Sequence, residues 1–233
     1  MYRSWTSHLW RYLLILIAVL IVAYPIVWMG TMAFKPFQEW TTVDGVHWIP
    51  EKGTVENFLF LFNGEVESLV VTLDRTIWKP LLASVVTASL GTFIAVVIGT
   101  LGSYAVSRFG VGMNLPLSVL QLRLFPPLAV MIPVMVMWAF IGAIDTWWGL
   151  SLIYAIVTLP FSFWLMKTFF DEVPVEIEEA ALVEGCSRWR VFYRVTLPMV
   201  KAGLATTALF VFILNWSDYL LALLLTRKDW VTL

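Results

Sequence analysis

Long apolar runs separated by short polar stretches set the pattern of this chain. Five runs reach the roughly 20 residues a helix needs to cross a bilayer: 12–34, 81–107, 118–143, 147–169 and 201–225. Their central stretches carry no ionisable side chain, so each predicts a transmembrane helix. Prolines 25, 126, 127, 133 and 160 fall inside the runs. Each removes a backbone bond and favours a kink. Such kinks occur where a bundle lines a path and also in membrane proteins at large. In the second run Ala83, Thr87, Gly91, Ala95, Gly99, Ser103 and Ser107 recur every fourth residue. That spacing keeps small side chains on one helix face, which predicts close packing against a neighbouring helix.

The polar intervals give the organisation: a terminus over 1–11, a long loop over 35–80, a charged loop over 171–200 and an end over 226–233. Pro36, Trp40, Gly45, Trp48 and Pro50 mark the long loop as irregular, with short amphipathic pieces at the membrane surface. Trp147 and Trp148 open the fourth run as interfacial anchors. Arg3 and Arg11 precede the first run, but that run is longer than a signal-peptide core and no convincing small-x-small cleavage site follows, so it is read as an uncleaved span. Arg3, Arg11, Arg108, Arg188, Arg190, Arg194 and Lys201 all fall on one side of the membrane, whereas Lys35–Lys79 holds four basic and seven acidic residues. The bias of Lys and Arg toward the inside then predicts a cytoplasmic N-terminus and a cytoplasmic charged loop.

Composition agrees with this picture and narrows the function. Of 233 residues 60% are hydrophobic and 13% charged, with a mean hydropathy of +0.84, which excludes an ordinary soluble domain. A net charge of −1 gives no footing for nucleic acid. The lone Cys186 excludes an internal disulfide, and His8 and His47 stand too far apart in sequence to suggest a metal or catalytic cluster. No GxxxxGK[ST] pattern occurs, so no phosphate-cradling loop of that kind is expected. No catalytic residue and no directly bound cofactor or metal are expected.

The charged loop carries the densest information. Six acids lie between Asp171 and Glu184, followed by Arg188, Arg190 and Arg194. Pro174 suits a first helical turn, and Glu176, Glu178 and Glu179 complement the helix dipole there. Ile177, Ala180 and Ala181 share a low face. Gly185 suits a left-handed cap, and Ser187 can start a second helix. That helix would bear Trp189, Phe192 and Tyr193 on one face and Arg190 and Arg194 on another, ending at Leu197-Pro198 before the last run. The pattern fits a docking device for a soluble partner. It fits equally a capped hairpin at the membrane surface that fixes two spans.

Glu179-Ala180-Ala181, three residues, Gly185, nine residues and then Val195-Thr196-Leu197-Pro198 resemble the EAA motif of permease subunits of binding-protein-dependent ABC importers. Arg123, Pro126-Pro127, Ile132-Pro133, Gly142, Asp145-Thr146-Trp147, Gly149-Leu150, Leu159-Pro160-Phe161, Trp164, Phe169-Phe170 and Trp216-Ser217-Asp218-Tyr219 are similar to the maltose and polyol type. The match covers the second half well and the first half loosely, and Glu184 stands where relatives often have Asp.

The resemblance implies an all-α polytopic bundle of the type I ABC importer permease architecture in the bacterial inner membrane. It implies six spans, so the last is expected to be missing from a chain ending at Leu233. It further implies a second permease subunit, two ATP-binding subunits holding ATP and Mg, an extracytoplasmic sugar-binding protein, and a coupling loop over 171–200. Within that loop Glu178, Glu179, Ala180, Ala181, Gly185, Leu197 and Pro198 are expected to meet the ATPase.

Asn215, Asp218 and Arg123 are the candidates for the path. Asp218 lies about 25 Å along the fifth run from Lys201, close to the far edge of a core of about 30 Å. Asn215 and Asp218 can line an outer cavity or simply face the interface. Arg123 can snorkel to headgroups or meet an acidic partner. An ion-coupled transporter, a membrane scaffold and a membrane enzyme are the competing classes. The first needs a carboxylate near mid-membrane.

Overall fold

A computed structural model describes residues 5–36, 39, 48–63, 77–110, 112, 118, 121, 127–227 and 230–232. The chain divides into two compact units, Met1–Ile77 and Trp78–Leu233. Its described elements are helices: α1 (Trp5–Ala33), α2 (Glu56–Asn63), α3 (Trp78–Phe109), α4 (Pro127–Phe140), α5 (Trp147–Asp171), α6 (Val175–Val183), α7 (Arg188–Met199), α8 (Lys201–Trp216) and α9 (Tyr219–Leu225).

In the first unit, α1 continues through Pro25. Residues after α1 fold back on the C-terminal end of that helix. Asn57 Nδ2 donates to the carbonyls of Ala33 (2.9 Å) and Lys35 (2.8 Å), groups a helix end leaves without partners. Trp48 packs edge-on to Tyr24 and Trp28, and the Lys35 ammonium lies 5.0 Å from the Trp28 ring. Among the described residues of the long loop, where short amphipathic pieces are expected, one helix forms, α2; Trp40 and Gly45 lie outside the described residues.

In the second unit α3, α5 and α8 pack together. The small-residue stripe of α3 forms the seam, with Ala83, Thr87, Gly91, Ala95, Gly99 and Ser103 all buried. A methyl group on Gly91 would stand 2.8 Å from Tyr154 Cβ, and one on Gly99 3.0 Å from Phe163 N, so the two backbones approach too closely for any larger residue. Gly203 lies as tightly against Phe169. Buried hydroxyls turn back on their own helices: Thr87 onto Ala83 O, Thr158 onto Tyr154 O and Thr207 onto Gly203 O. The seam is therefore polar in composition with these hydroxyls satisfied. Large apolar side chains such as Leu82, Phe93 and Ile98 point outward instead, the arrangement suited to lipid or to a partner helix.

Among the described residues, α1, α3 and α5 are long and apolar enough to cross a membrane, and α7 with α8 makes a fourth candidate bent by 75°. Two expected spans differ from this. The third run gives a helix that stops at Phe140 rather than 143. Gly142 (φ 68°) and the bonds from Gly142 N to Ala139 O and from Ala143 N to Trp138 O terminate it in a left-handed cap. Most of its expected first part, including Arg123 and Pro126, lies outside the described residues.

The fifth run is not one helix. It breaks at Ser217 and restarts at Tyr219, because Asp218 adopts an extended backbone and its Oδ1 accepts the Leu221 N–H at 2.8 Å. The second hairpin helix also runs on past the expected stop at Leu197-Pro198, and the chain turns at Val200. A π-turn over Phe192–Thr196, in which Leu197 N–H reaches Phe192 O, widens the helix just before Pro198 and makes room for its ring.

Candidate functional site

The charged loop forms the expected hairpin. Pro174 leads into α6, with Glu176 and Glu178 in the first turn. Gly185 has φ 87°, and the bonds Gly185 N to Leu182 O and Cys186 N to Ala181 O complete the left-handed cap. No atom lies within 4 Å of where a Gly185 Cβ would stand, so backbone conformation, not space, calls for glycine. Ser187 Oγ then accepts from Arg190 N and starts α7.

The expected docking residues separate into two groups. Glu179, Ala180 and Gly185 are exposed and Ala181 is half-buried. Ile177 beside them is exposed, and Val183 is 89% exposed. Leu197 and Pro198 lie at the far end of α7, half-buried and exposed respectively.

Glu178 faces the other way. Its side chain is 7% exposed and pairs with Arg108 Nε at 2.7 Å. Its second oxygen accepts from Tyr104 Oη at 2.9 Å. Arg108 also donates to Val173 O (3.0 Å) and Ser107 Oγ (3.1 Å). Around this pair Tyr104 packs on Phe170 and Phe192, and Arg188 lies over the Phe109 ring. Below, Met166, Phe170, Val173, Phe192 and Val200 form an apolar cluster. Asp171 ties the ends of α3 and α5, accepting from Ser107 Oγ and Lys167 Nζ. Leaving one partner of a buried pair uncompensated costs about 3–5 kcal/mol, so Arg108 and Glu178 depend on each other.

Sequence reading used Arg108 only to orient the chain and missed Tyr104. One signal was present. Glu178 shares the inward face of α6 with Ala181 and Leu182, and a carboxylate on such a face requires a cation. The identity of that cation, 70 residues away, is a tertiary fact.

The path candidates are also placed. Asn215 is buried, and its Nδ2 donates to Thr92 Oγ1 at 3.1 Å. It borders a water-sized cavity with Ser84, Thr87, Tyr154 and Trp216. Asp218 is half-exposed and occupied as the α9 cap, while its carbonyl accepts from Tyr154 Oη at 3.2 Å. One oxygen of the carboxylate that an ion-coupled mechanism would use thus serves as a helix cap. Asp145, in the Asp-Thr-Trp element, accepts the N–H groups of Arg227 and Trp230 and so holds the segment after α9.

Several apolar helices joined by glycine seams, with a polar hairpin pinned to the end of one of them, define a multi-pass helical membrane protein. The family described as binding-protein-dependent transport system inner membrane component matches residues 99–229. The chain belongs to this family, the permease components of binding-protein-dependent ABC importers. It is 34% identical over 212 residues to the trehalose transport system permease protein SugB of Mycobacterium tuberculosis, covering 89% of this chain and 73% of that one. It is 32% identical over 223 residues to the trehalose/maltose transport system permease protein MalG of Thermococcus litoralis, covering 93% and 76%. In fold it is similar to a chain of a bacterial ABC transporter involved in the import of the acidic polysaccharide alginate, with TM-score 0.76, 20% identity, and 99% of this chain and 79% of that one covered.

Proposed function

We propose that this chain is a permease subunit of an ATP-driven importer for a sugar or polyol. In this reading it forms the path with a second permease subunit, and an extracytoplasmic sugar-binding protein delivers the cargo. Two ATP-binding subunits, holding ATP and Mg, seat on the hairpins of the paired permeases from the cytoplasm, where the N-terminus also lies. Their closure moves the hairpins and biases the helices between inward- and outward-open states.

The observation that carries this reading is the hairpin. It presents Glu179 and Ala180 on an exposed low face, ends in a glycine cap, and is anchored to α3 from beneath. Two further facts support it. The curated relatives SugB and MalG are named as sugar transport permeases. An open apolar groove of about 570 Å3 between α3 and the α7–α8 pair, lined by Phe93, Val97, Leu101, Tyr193, Leu204 and Phe212, offers a surface for the second permease.

Gly185 tests the hairpin's role. The left-handed conformation costs an L-residue about 1–2 kcal/mol, and Asn bears it better than a β-branched residue. Gly185→Val is expected to reduce sugar uptake at least about tenfold at an unchanged chain level, and Gly185→Asn to stay within about threefold of wild type. Normal uptake and normal retention of the ATP-binding subunits in Gly185→Val would count against the reading.

A further inference from the structure

Of the nine residues of α6, Val175–Val183, Glu178 is the buried one. Ala181 and Leu182 beside it on the inward face are only half-buried, so the fully buried contact of the helix offered to a partner is a carboxylate. That carboxylate is held at both oxygens by residues of one other helix, Arg108 (2.7 Å) and Tyr104 (2.9 Å) of α3. Arg108 in turn holds the chain just before α6 through Val173 O. Two hydrogen bonds to a planar carboxylate fix direction as well as distance. Apolar contacts at the same place would let α6 slide.

We propose that Arg108, Tyr104 and Glu178 are positioning residues that make α6 and the cytoplasmic end of α3 a single lever. A push on the hairpin is delivered to α3, and through the glycine seam of α3 to α5. This rests on the reading of the hairpin as the docking element and adds the route by which force leaves it. It also separates Glu178 from Glu179: the first transmits within the chain, while the second is available to the partner.

A charge swap in the assembled transporter, reconstituted in proteoliposomes, tests the lever. The readouts are sugar moved per ATP hydrolysed and the amount of ATP-binding subunit retained. Arg108→Glu and Glu178→Arg are each expected to lower the transport ratio at least about tenfold, and the double swap to recover it to within about threefold of wild type. If Glu178 instead touches the partner, Arg108→Glu leaves the ratio intact or the double swap fails to rescue Glu178→Arg, and the proposal falls.

Should the swapped chains fail to assemble, Glu178→Gln decides, because it keeps the shape and a hydrogen bond but removes the charge. A ratio lowered about threefold or more with normal subunit retention supports the lever; an unchanged ratio overturns it. Failure here alongside an uncoupled Gly185→Val removes the lever alone, whereas an intact Gly185→Val removes the docking reading beneath it.

Discussion

At position 218 a carboxylate interrupts an apolar run, and its work is local: Oδ1 closes the first turn of α9 onto Leu221 N. An amide oxygen can do the same, but a methyl group cannot. Asp218→Ala is therefore expected to destabilise the chain by about 1 kcal/mol, read as a lower melting temperature in detergent, while Asp218→Asn keeps both melting temperature and uptake close to wild type. Loss of uptake in Asp218→Asn at unchanged melting would give the charge a role in the path. Gly185 and Asp218 also show what a single residue discloses. The cap at Gly185 was legible because left-handed backbone selects glycine within a few residues of a helix end. The cap at Asp218 was hidden, because a polar residue late in an apolar run fits a pathway, an interface and a helix start equally well, and only the extended backbone at that position distinguishes them.

Among the elements, α3 was the most readable. Its four-residue spacing of small side chains anticipated a close neighbour, and the structure supplies α5. The spacing did not identify which helix would come, since small residues record the approach and not the partner. A side chain at Gly99 meets Ser162 Oγ at 2.5 Å and Phe163 N at 3.0 Å, and the latter is backbone that cannot swing aside. Gly99→Val is expected to cost about 1–3 kcal/mol by overpacking, lowering the melting temperature. Gly30, with nothing near its would-be Cβ, should tolerate alanine. Equal melting of Gly99→Val and wild type would show that the seam does not hold the fold. The breaks were the least readable features. Hydropathy runs through Phe140 without a change of character and dips only at Ser217-Asp218 in the last run, while the helix ends there are set by caps a few atoms in size. Pro198 misled in the opposite direction: a π-turn upstream absorbs it, and the turn of the chain falls at Val200.

For the molecule as a whole, the membrane character was written in composition and the hairpin in motif spacing. The link between them, Arg108 to Glu178, came only from the fold. At this scale the proposal is that an ATP-binding subunit sits on the exposed face of α6 and that the buried face carries the load to α3. Ala180 is exposed beside Glu179 and points away from the Glu178 anchor. A photoreactive amino acid placed at Ala180 in the assembled transporter, irradiated in its native membrane, reads that contact directly. A cross-link to the ATP-binding subunit whose yield changes between nucleotide-free and ATP-bound states is the predicted result. Cross-links to lipid alone, in either state, would contradict it.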